Sequence, residues 1–502
     1  MRAPARRGGR RRYRKPFDSI TVGLLPTAIS LRTGPCASSR YTATCREHAL
    51  HGTSLKVGCQ AIAETLNCRL STADWGWWRG RALDGNGSVR RATEVIFHFS
   101  MIAPPVLPLR SGLHLGYLDS LRGLSALYVA ACHAYLMYAT DFASMGVRSA
   151  SGALLVGTSW VMFGRAAVAV FIVLSGYCLM LPIVRSPGQE WRVAFWPFMR
   201  RRAWRILPPY YGALACSAAL IVLVPALDDP SIREWHKSFP AFGTGSVVSH
   251  LLLVHNYFPA YQYAIDHPLW SIATEWQIYF LFPLLLWIGK RRGDFSIVVT
   301  AGAITMALNL YLLNFSPQHN PWPAQFVGLF GFGMACAAWS FPNGSSAPLD
   351  AQRWRRQAIV LLVAGAVASV VFISTRQQQL PDLLIGGGIG CAMVFLTNAV
   401  LTGSRPVALR VLERPSLVAL GRFSYSLYLL HAPLLALFYL LARYLNLTPL
   451  ALQLFILGVG LPITVAVCYV FHLVFERPFI RRRDAMSSSI AGSGISERVT
   501  VA

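Results

Sequence analysis

Runs of about twenty apolar residues recur from residue 118 to residue 474, and this repetition limits the possible folds more than any other feature. A segment of that length crosses a membrane as a helix, whereas a barrel strand needs only about ten residues of alternating polarity. Hydrophobic residues make up 54% of the 502 residues and charged residues only 13%, about half the charged share typical of soluble proteins. The sequence therefore predicts an all-α polytopic integral membrane protein with about ten transmembrane helices. The predicted spans are residues 118–138, 159–181, 206–226, 268–289, 295–313, 322–341, 357–374, 383–402, 420–441 and 450–474.

Positive charge is concentrated in alternate loops between these runs. The formal net charge is +25, which in a soluble protein would suggest a nucleic-acid partner. Here the Lys and Arg residues cluster beside apolar runs, and cytoplasmic loops of membrane proteins carry such an excess. We therefore expect a multi-pass protein of the bacterial inner membrane with both termini in the cytoplasm, and no nucleic-acid partner. The clusters lie within residues 185–205, 290–292, 353–356, 405–414 and 477–483.

The apolar pattern also divides the chain into three parts. Residues 1–110 are basic and contain no adequate span, so we interpret them as a disordered extension or the result of an upstream start-codon error, with Met101 as another possible start. A basic tail attracted to anionic lipid is the functional alternative. Residues 111–484 form the predicted membrane domain, and the Ser- and Gly-rich residues 485–502 a disordered tail. The cysteines show no C-x-x-C pair or metal-type spacing, so no metal site is expected.

Polar residues inside the predicted spans require a reason, because a charged group there costs roughly 2.5–3.5 kcal/mol. Arg122 and His133 are eleven residues apart, which places them about 16 Å apart on nearly the same face of the first span. Glu275 in the fourth span and His431 in the ninth lie at similar depths. Each has a structural alternative: snorkelling for Arg122, and hydrogen bonding to a neighbouring helix for the others. Together, Arg122, His133 and Glu275 could instead line one channel.

An arginine cluster precedes the third span. Arg201, Arg202 and Arg205 lie beside the start of a proline-containing helix. Ordinary topogenic charge is one explanation, and an anion cradle is the other, because guanidinium groups match phosphate oxygens. His114 and Asp119 show an H-x-x-x-x-D spacing used by glycerolipid acyltransferases, but this short pattern is common by chance and receives no weight here.

Six segments of the chain resemble, in order, the signatures of the membrane-bound acyltransferase 3 family. The resemblance covers roughly residues 113–484, and the segments are LDSLRGLSALYVAACHAY, FIVLSGYCLM, RRRAWRILPPYY, HPLWSIATEWQIYFLFPLLL, GRFSYSLYLLHAPLL and FERPFIRRR. It implies a multi-helix membrane enzyme that moves an acyl group, expected to be acetyl, from cytoplasmic acyl-coenzyme A (acyl-CoA) to a hydroxyl group of a sugar or glycan. The donor is then a substrate, and no cofactor is permanently bound.

The resemblance also implies roles for particular residues. The family's Arg, ten residues, His motif matches Arg122 and His133, and its acidic residue after the Trp-Ser pair matches Glu275. We expect these three to be catalytic, with His133 as the general base or the acyl carrier. Donor phosphates are expected at Arg201, Arg202 and Arg205, and substrate contacts at Asp119, Trp270, Tyr425 and His431.

Two other classes of function remain open from the sequence. A proton-coupled permease or exporter of a sugar or lipid-linked glycan would use Arg122, His133 and Glu275 as a pathway without covalent chemistry. Such proteins are often built from internal repeats, and none is evident here. An inert membrane scaffold would leave the buried charges unexplained.

Overall fold

The computed structural model describes twelve stretches of the chain, which divides into two compact units, Met1–Leu113 and His114–Ala502. In the first unit, five strands form an antiparallel sheet with the order β1-β2-β3-β5-β4. The strands are β1 (Thr21–Leu24), β2 (Thr27–Thr33), β3 (Arg40–Cys45), β4 (Trp75–Leu83) and β5 (Val89–Ser100). The described stretches are residues 21–24, 27–33, 40–45, 75–83, 89–100, 114–142, 149–185, 193–228, 243–315, 323–341, 350–372 and 378–479.

These strands were not predicted from the sequence. The interpretation of residues 1–110 as a disordered or mis-annotated extension stays a prediction, and the proposed tail at residues 485–502 lies outside the described stretches.

The described part of the second unit is all-helical, as predicted. Short 3-10 turns at Ser159–Met162, Pro225–Asp228 and His255–Tyr257 join some helices, and π-helical turns occupy Ile456–Gly460 and His472–Glu476. The α-helices are α1 (Gly116–Phe142), α2 (Ala150–Thr158), α3 (Gly164–Val184), α4 (Phe195–Leu223), α5 (Thr244–Leu251), α6 (Leu269–Tyr279), α7 (Phe282–Arg292), α8 (Asp294–Phe315), α9 (Gln325–Ser340), α10 (Ala351–Val371), α11 (Gln379–Leu401), α12 (Val407–Leu412), α13 (Pro415–Arg422), α14 (Ser424–Tyr444), α15 (Pro449–Phe455) and α16 (Leu461–Phe471).

Helices long and apolar enough to cross a membrane are fewer than the ten predicted spans. Seven meet that description among the residues described, and α6 with α7 makes an eighth if this pair, bent by 45°, is one span. The remaining two predicted spans fall on α9, which has only 16 residues, and on α1, whose Asp119, Arg122 and His133 lower its mean hydropathy. The chain is therefore a membrane-embedded helical protein, but ten spans are not confirmed.

Small residues let the site-bearing helices approach closely. A Cβ atom built on Gly176 of α3 would lie 2.1 Å from the backbone oxygen of Phe330 in α9, and one on Gly333 would lie 2.1 Å from that of Val173. The same relation joins α1 to α13, because a Cβ on Gly421 would lie 2.0 Å from the backbone oxygen of Asp119. Backbone-to-backbone packing of this kind is typical of membrane helices, and here it fixes α1 and α3 around one cavity.

Candidate active site

A cavity of about 230 Å³ opens between α1, α3, α4, α6 and α14. Four arginines and three carboxylates are among its lining residues, so the cavity carries both signs of charge. The end away from the arginines is lined by Val168, Phe171, Ser271 and Tyr428. Such a concave site with a few converging polar groups is the usual form of a ligand pocket. The charged lining residues are Arg122, Arg202, Arg205, Arg422, Asp119, Glu275 and Glu476.

Arg122 is held in the cavity wall by two neighbours. Its Nη1 donates to Oδ1 of Asp119 at 2.8 Å, and its Nη2 to the Sγ of Cys178 at 2.7 Å. His114, whose side chain is 71% exposed, contacts the other carboxylate oxygen of Asp119 at 3.1 Å. His114 and Asp119, whose H-x-x-x-x-D spacing received no weight in the sequence, are therefore in contact. This contact lies at the exposed start of α1.

Glu275 faces the same cavity and accepts two hydrogen bonds. Ser175 donates to its Oε1 at 2.7 Å, and the Tyr279 hydroxyl donates to the same oxygen. The Ser175 and Tyr279 hydroxyls are themselves 2.8 Å apart. These hydrogen bonds hold the Glu275 carboxylate at the cavity, and its catalytic role stays a prediction.

His133 lies in a cluster of imidazoles that includes one residue missed in the sequence. Its ring centroid is 5.0 Å from that of His431 and 5.0 Å from that of His267, both edge-on. His133 is half-buried and is not among the described residues that line the cavity. The two regions are neighbours, because the Tyr428 ring lies 6.0 Å from His431 and also borders the cavity.

Tyr428 lines the cavity and also contacts this cluster. Its hydroxyl is 2.6 Å from that of Ser271, and its ring packs edge-on against Phe171 at 5.4 Å. A molecule entering past the arginines would therefore meet this aromatic barrier before reaching His133.

The segment before α6 positions His267 through an unusual backbone. Ile265 adopts φ +63°, a left-handed conformation that is a rare outlier for a β-branched residue. Asp266 follows it, fully buried, and accepts from Ser217 of α4 at 2.8 Å. Strain of this kind is found at sites where the surroundings impose it, and here it lies two residues before His267.

The other predicted residues divide between the cavity and its surroundings. Arg202 and Arg205 line the cavity, whereas Arg201 is exposed and is not part of the described lining. Tyr425 also lines it and donates to the backbone oxygen of Ile206 at 3.0 Å. Trp270 lies outside it, buried against Phe326.

A buried acidic group near the end of the last helix was also missed. Glu476 lines the cavity and is contacted by Ser426 at 2.6 Å and by His472 at 2.8 Å. His472 and Glu476 bound a π-helical turn, a feature frequent at functional sites. The FERPF segment was noted in the sequence, but nothing in its spacing indicated that its carboxylate reaches the cavity.

Metal chemistry finds no support in these clusters. Within the described stretches, no group of three or more His, Cys, Asp or Glu residues has the geometry to hold a metal ion. The site can bind anions at its arginines and can move a proton at its imidazoles.

The chain is similar to known acyltransferases. The family described as an acyltransferase domain matches residues 115–473. A peptidoglycan O-acetyltransferase of Listeria monocytogenes is 23% identical over 337 residues, which is 64% of this chain and 50% of that protein. A protein of Staphylococcus aureus, provisionally named an O-acetyltransferase, is 25% identical over 54% of this chain and 46% of its own length. A Bacillus subtilis protein, provisionally named a peptidoglycan O-acetyltransferase, is 24% identical over 56% of this chain and 45% of its own.

Each of these relatives is longer than the region that it shares with this chain. The chain spans about half the length of each relative. No solved structure matches the chain.

Proposed function

The chain belongs to the acyltransferase 3 family, and from this premise we propose that it transfers an acetyl group from acetyl-CoA to a hydroxyl group of a glycan. That it is a transferase enzyme follows from the family and from relatives named as O-acetyltransferases. One observation carries the finer proposal: Tyr428 lines the arginine-containing cavity, and its ring lies 6.0 Å from that of His431, which in turn contacts His133.

The cavity suits the donor. The phosphates of acetyl-CoA bind Arg202 and Arg205, because guanidinium groups form charge-assisted hydrogen bonds with phosphate oxygens. Arg122, fixed by Asp119, lies further along the same wall. The thioester on its long pantetheine arm then extends towards Ser271 and Tyr428. The loop charges support a cytoplasmic position for this mouth in the bacterial inner membrane.

The imidazole cluster suits the chemistry. A neutral imidazole can accept a proton, and His133 takes this role towards the acceptor hydroxyl. In direct transfer, the acceptor oxygen attacks the thioester carbon as His133 takes the hydroxyl proton. The carbon–sulfur bond then breaks and coenzyme A leaves as a thiolate, which recovers that proton. In the relay variant, the acetyl group rests on His133 before the hydroxyl attacks it.

Tyr428 and Glu275 connect the arginine-lined cavity with the imidazole cluster. For the thioester to meet His133, the Tyr428 ring must turn aside or the donor must pass beside it. Glu275, held by Ser175 and Tyr279, places a carboxylate on the path between Arg122 and this barrier. This carboxylate supports catalysis by ordering the hydroxyl groups of Ser175 and Tyr279 around the thioester.

The experiment incubates the purified chain in lipid nanodiscs with radiolabelled acetyl-CoA and a tetramer of N-acetylglucosamine as the acceptor. We expect thiol release that depends on the tetramer, and label in the tetramer. A permease would move the sugar across a membrane and release no thiol. Absence of both thiol release and labelled product, with this tetramer and with isolated cell-wall glycan, would contradict the proposed function.

A further inference from the structure

A second polar cluster lies beyond the end of the cavity that Val168, Ser271 and Tyr428 line. Arg165 at the start of α3 donates through Nε to Oδ2 of Asp382 at 2.9 Å. Gln325 donates through its amide nitrogen to the same oxygen at 2.8 Å. The Arg165 guanidinium also lies 5.7 Å from the ring centroids of Trp270 and Phe326. These five residues, from α3, α6, α9 and α11, are called the outer cluster below.

The outer cluster retains unused hydrogen-bonding groups. Gln325 is 1% exposed, and its Oε1 has no hydrogen-bond partner within the described stretches. A buried acceptor left unpaired is costly and requires an explanation. The Arg165 side chain remains 35% exposed, and only its Nε is engaged in the described contacts. An acceptor oxygen and free guanidinium N–H groups therefore lie side by side.

The outer cluster adjoins the imidazoles. Trp270, in the first turn of α6, is three residues after His267, whose ring contacts that of His133. A Cβ built on Gly164 would lie 2.8 Å from the Sγ of Cys132, so the residues preceding Arg165 and His133 are in contact. Val168, the first residue of α3 to line the cavity, is one helical turn from Arg165. The outer cluster thus adjoins both the imidazoles and the Val168 end of the cavity.

The charge of the outer cluster limits its ligand. Asp382 is 2% exposed, and its carboxylate balances the Arg165 guanidinium, so the pair offers no net positive charge to an anion. What it offers is donors from Arg165 and an acceptor from Gln325, the combination that hydroxyl groups satisfy.

We propose that the outer cluster binds the acceptor as a neutral sugar unit, with Arg165 donating to its oxygens and Gln325 Oε1 accepting from one of its hydroxyls. This inference rests on the proposed function and names the substrate class of the same site. Trp270 and Phe326 act as positioning residues, because their rings fix the plane of the Arg165 guanidinium.

The test measures equilibrium binding of the N-acetylglucosamine tetramer by calorimetry to the full chain in nanodiscs, without acetyl-CoA. Gln325→Leu removes the amide and keeps similar bulk, and we expect about tenfold weaker binding of the tetramer. The affinity for acetyl-CoA, measured separately, should be unchanged. Replacing the tetramer with N-acetylglucosamine 6-phosphate should give no gain over unphosphorylated N-acetylglucosamine.

Gln453→Leu is the matched control, because Gln453 is also fully buried with no amide partner within the described stretches. It should bind the tetramer as the unmodified chain does. Equal affinities for Gln325→Leu and the unmodified chain would overturn the inference, as would equal losses in both variants or preference for the phosphorylated sugar. If Gln325→Leu does not fold, Trp270→Phe provides the second variant, and unchanged tetramer affinity there would also count against the inference.

Failure of the proposed function is distinguishable from failure of this inference. An unmodified chain that binds the tetramer but never releases thiol would refute the enzyme proposal alone. A chain that transfers acetyl groups normally after loss of the Gln325 amide, with an unchanged KM for the tetramer, would refute the outer-cluster inference alone.

Discussion

Replacing Gly421 with Ala tests whether close helix packing holds the donor cavity in shape. The added Cβ would lie 2.0 Å from the backbone oxygen of Asp119 and 2.4 Å from its backbone carbon. An ordinary contact needs more than about 3 Å, so the first turn of α1 must move by about 1 Å. That turn carries Asp119, which holds Arg122 of the next turn in the cavity wall. Overpacking costs about 1–3 kcal/mol. The free variant relaxes by moving this turn, whereas binding of acetyl-CoA needs the native cavity shape and so incurs this strain again. Every 1.4 kcal/mol is tenfold in affinity.

We therefore expect Gly421→Ala to weaken acetyl-CoA binding by roughly 5- to 150-fold, measured by calorimetry on protein in nanodiscs. Gly302→Ala in α8 is the matched control, because a Cβ there meets no atom within 4 Å, and its affinity should not change. Circular dichroism would confirm that both variants stay helical. A folded Gly421→Ala variant whose affinity stays within about twofold of the unmodified chain would refute this reasoning.

Three further predictions concern individual side chains. Arg205→Ala should weaken acetyl-CoA binding by about 10- to 100-fold through loss of charge-assisted hydrogen bonds, whereas Arg201→Ala, exposed outside the described cavity lining, should leave it unchanged. Glu275→Gln should lower kcat at least tenfold, and Glu413→Gln at an exposed ion pair with Arg405 should not; equal rates would contradict the role of Glu275. Burial lowers the pKa of His250 to about 4, below its unfolded value near 6.5, so stability should fall by up to about 3 kcal/mol as the pH drops from 6.5 towards 4. Thermal unfolding of His250→Gln should show a smaller loss over that range, and an equal loss would argue against this assignment.

The membrane helices could be predicted because their signal is local. Runs of about twenty apolar residues require helices in lipid, and each predicted span overlaps one or more helices of the structure. The number of membrane-crossing helices was harder to predict, because α1 carries Asp119, Arg122 and His133 and α9 is short. The bend between α6 and α7 depends on tertiary packing and leaves no comparable local signal.

The site could be predicted in part for the same reason. The eleven-residue spacing of Arg122 and His133 predicts from the sequence that both lie on one face of one helix. The family resemblance adds Glu275 to the predicted site. His267 was not predicted as a site residue because its contact with His133 joins two helical regions far apart in the sequence, and no local residue pattern indicates such a contact. The sequence also could not show that Tyr428 separates the cavity from the imidazoles.

The most direct measurement of the central claim compares acetyl transfer by His133→Ala with its binding of acetyl-CoA, in the same nanodisc preparation. Because His133 is outside the described lining of the cavity proposed to bind the donor, the variant should bind acetyl-CoA as tightly as the unmodified chain and transfer no acetyl group to the N-acetylglucosamine tetramer. Transfer at the unmodified rate by His133→Ala would contradict the account.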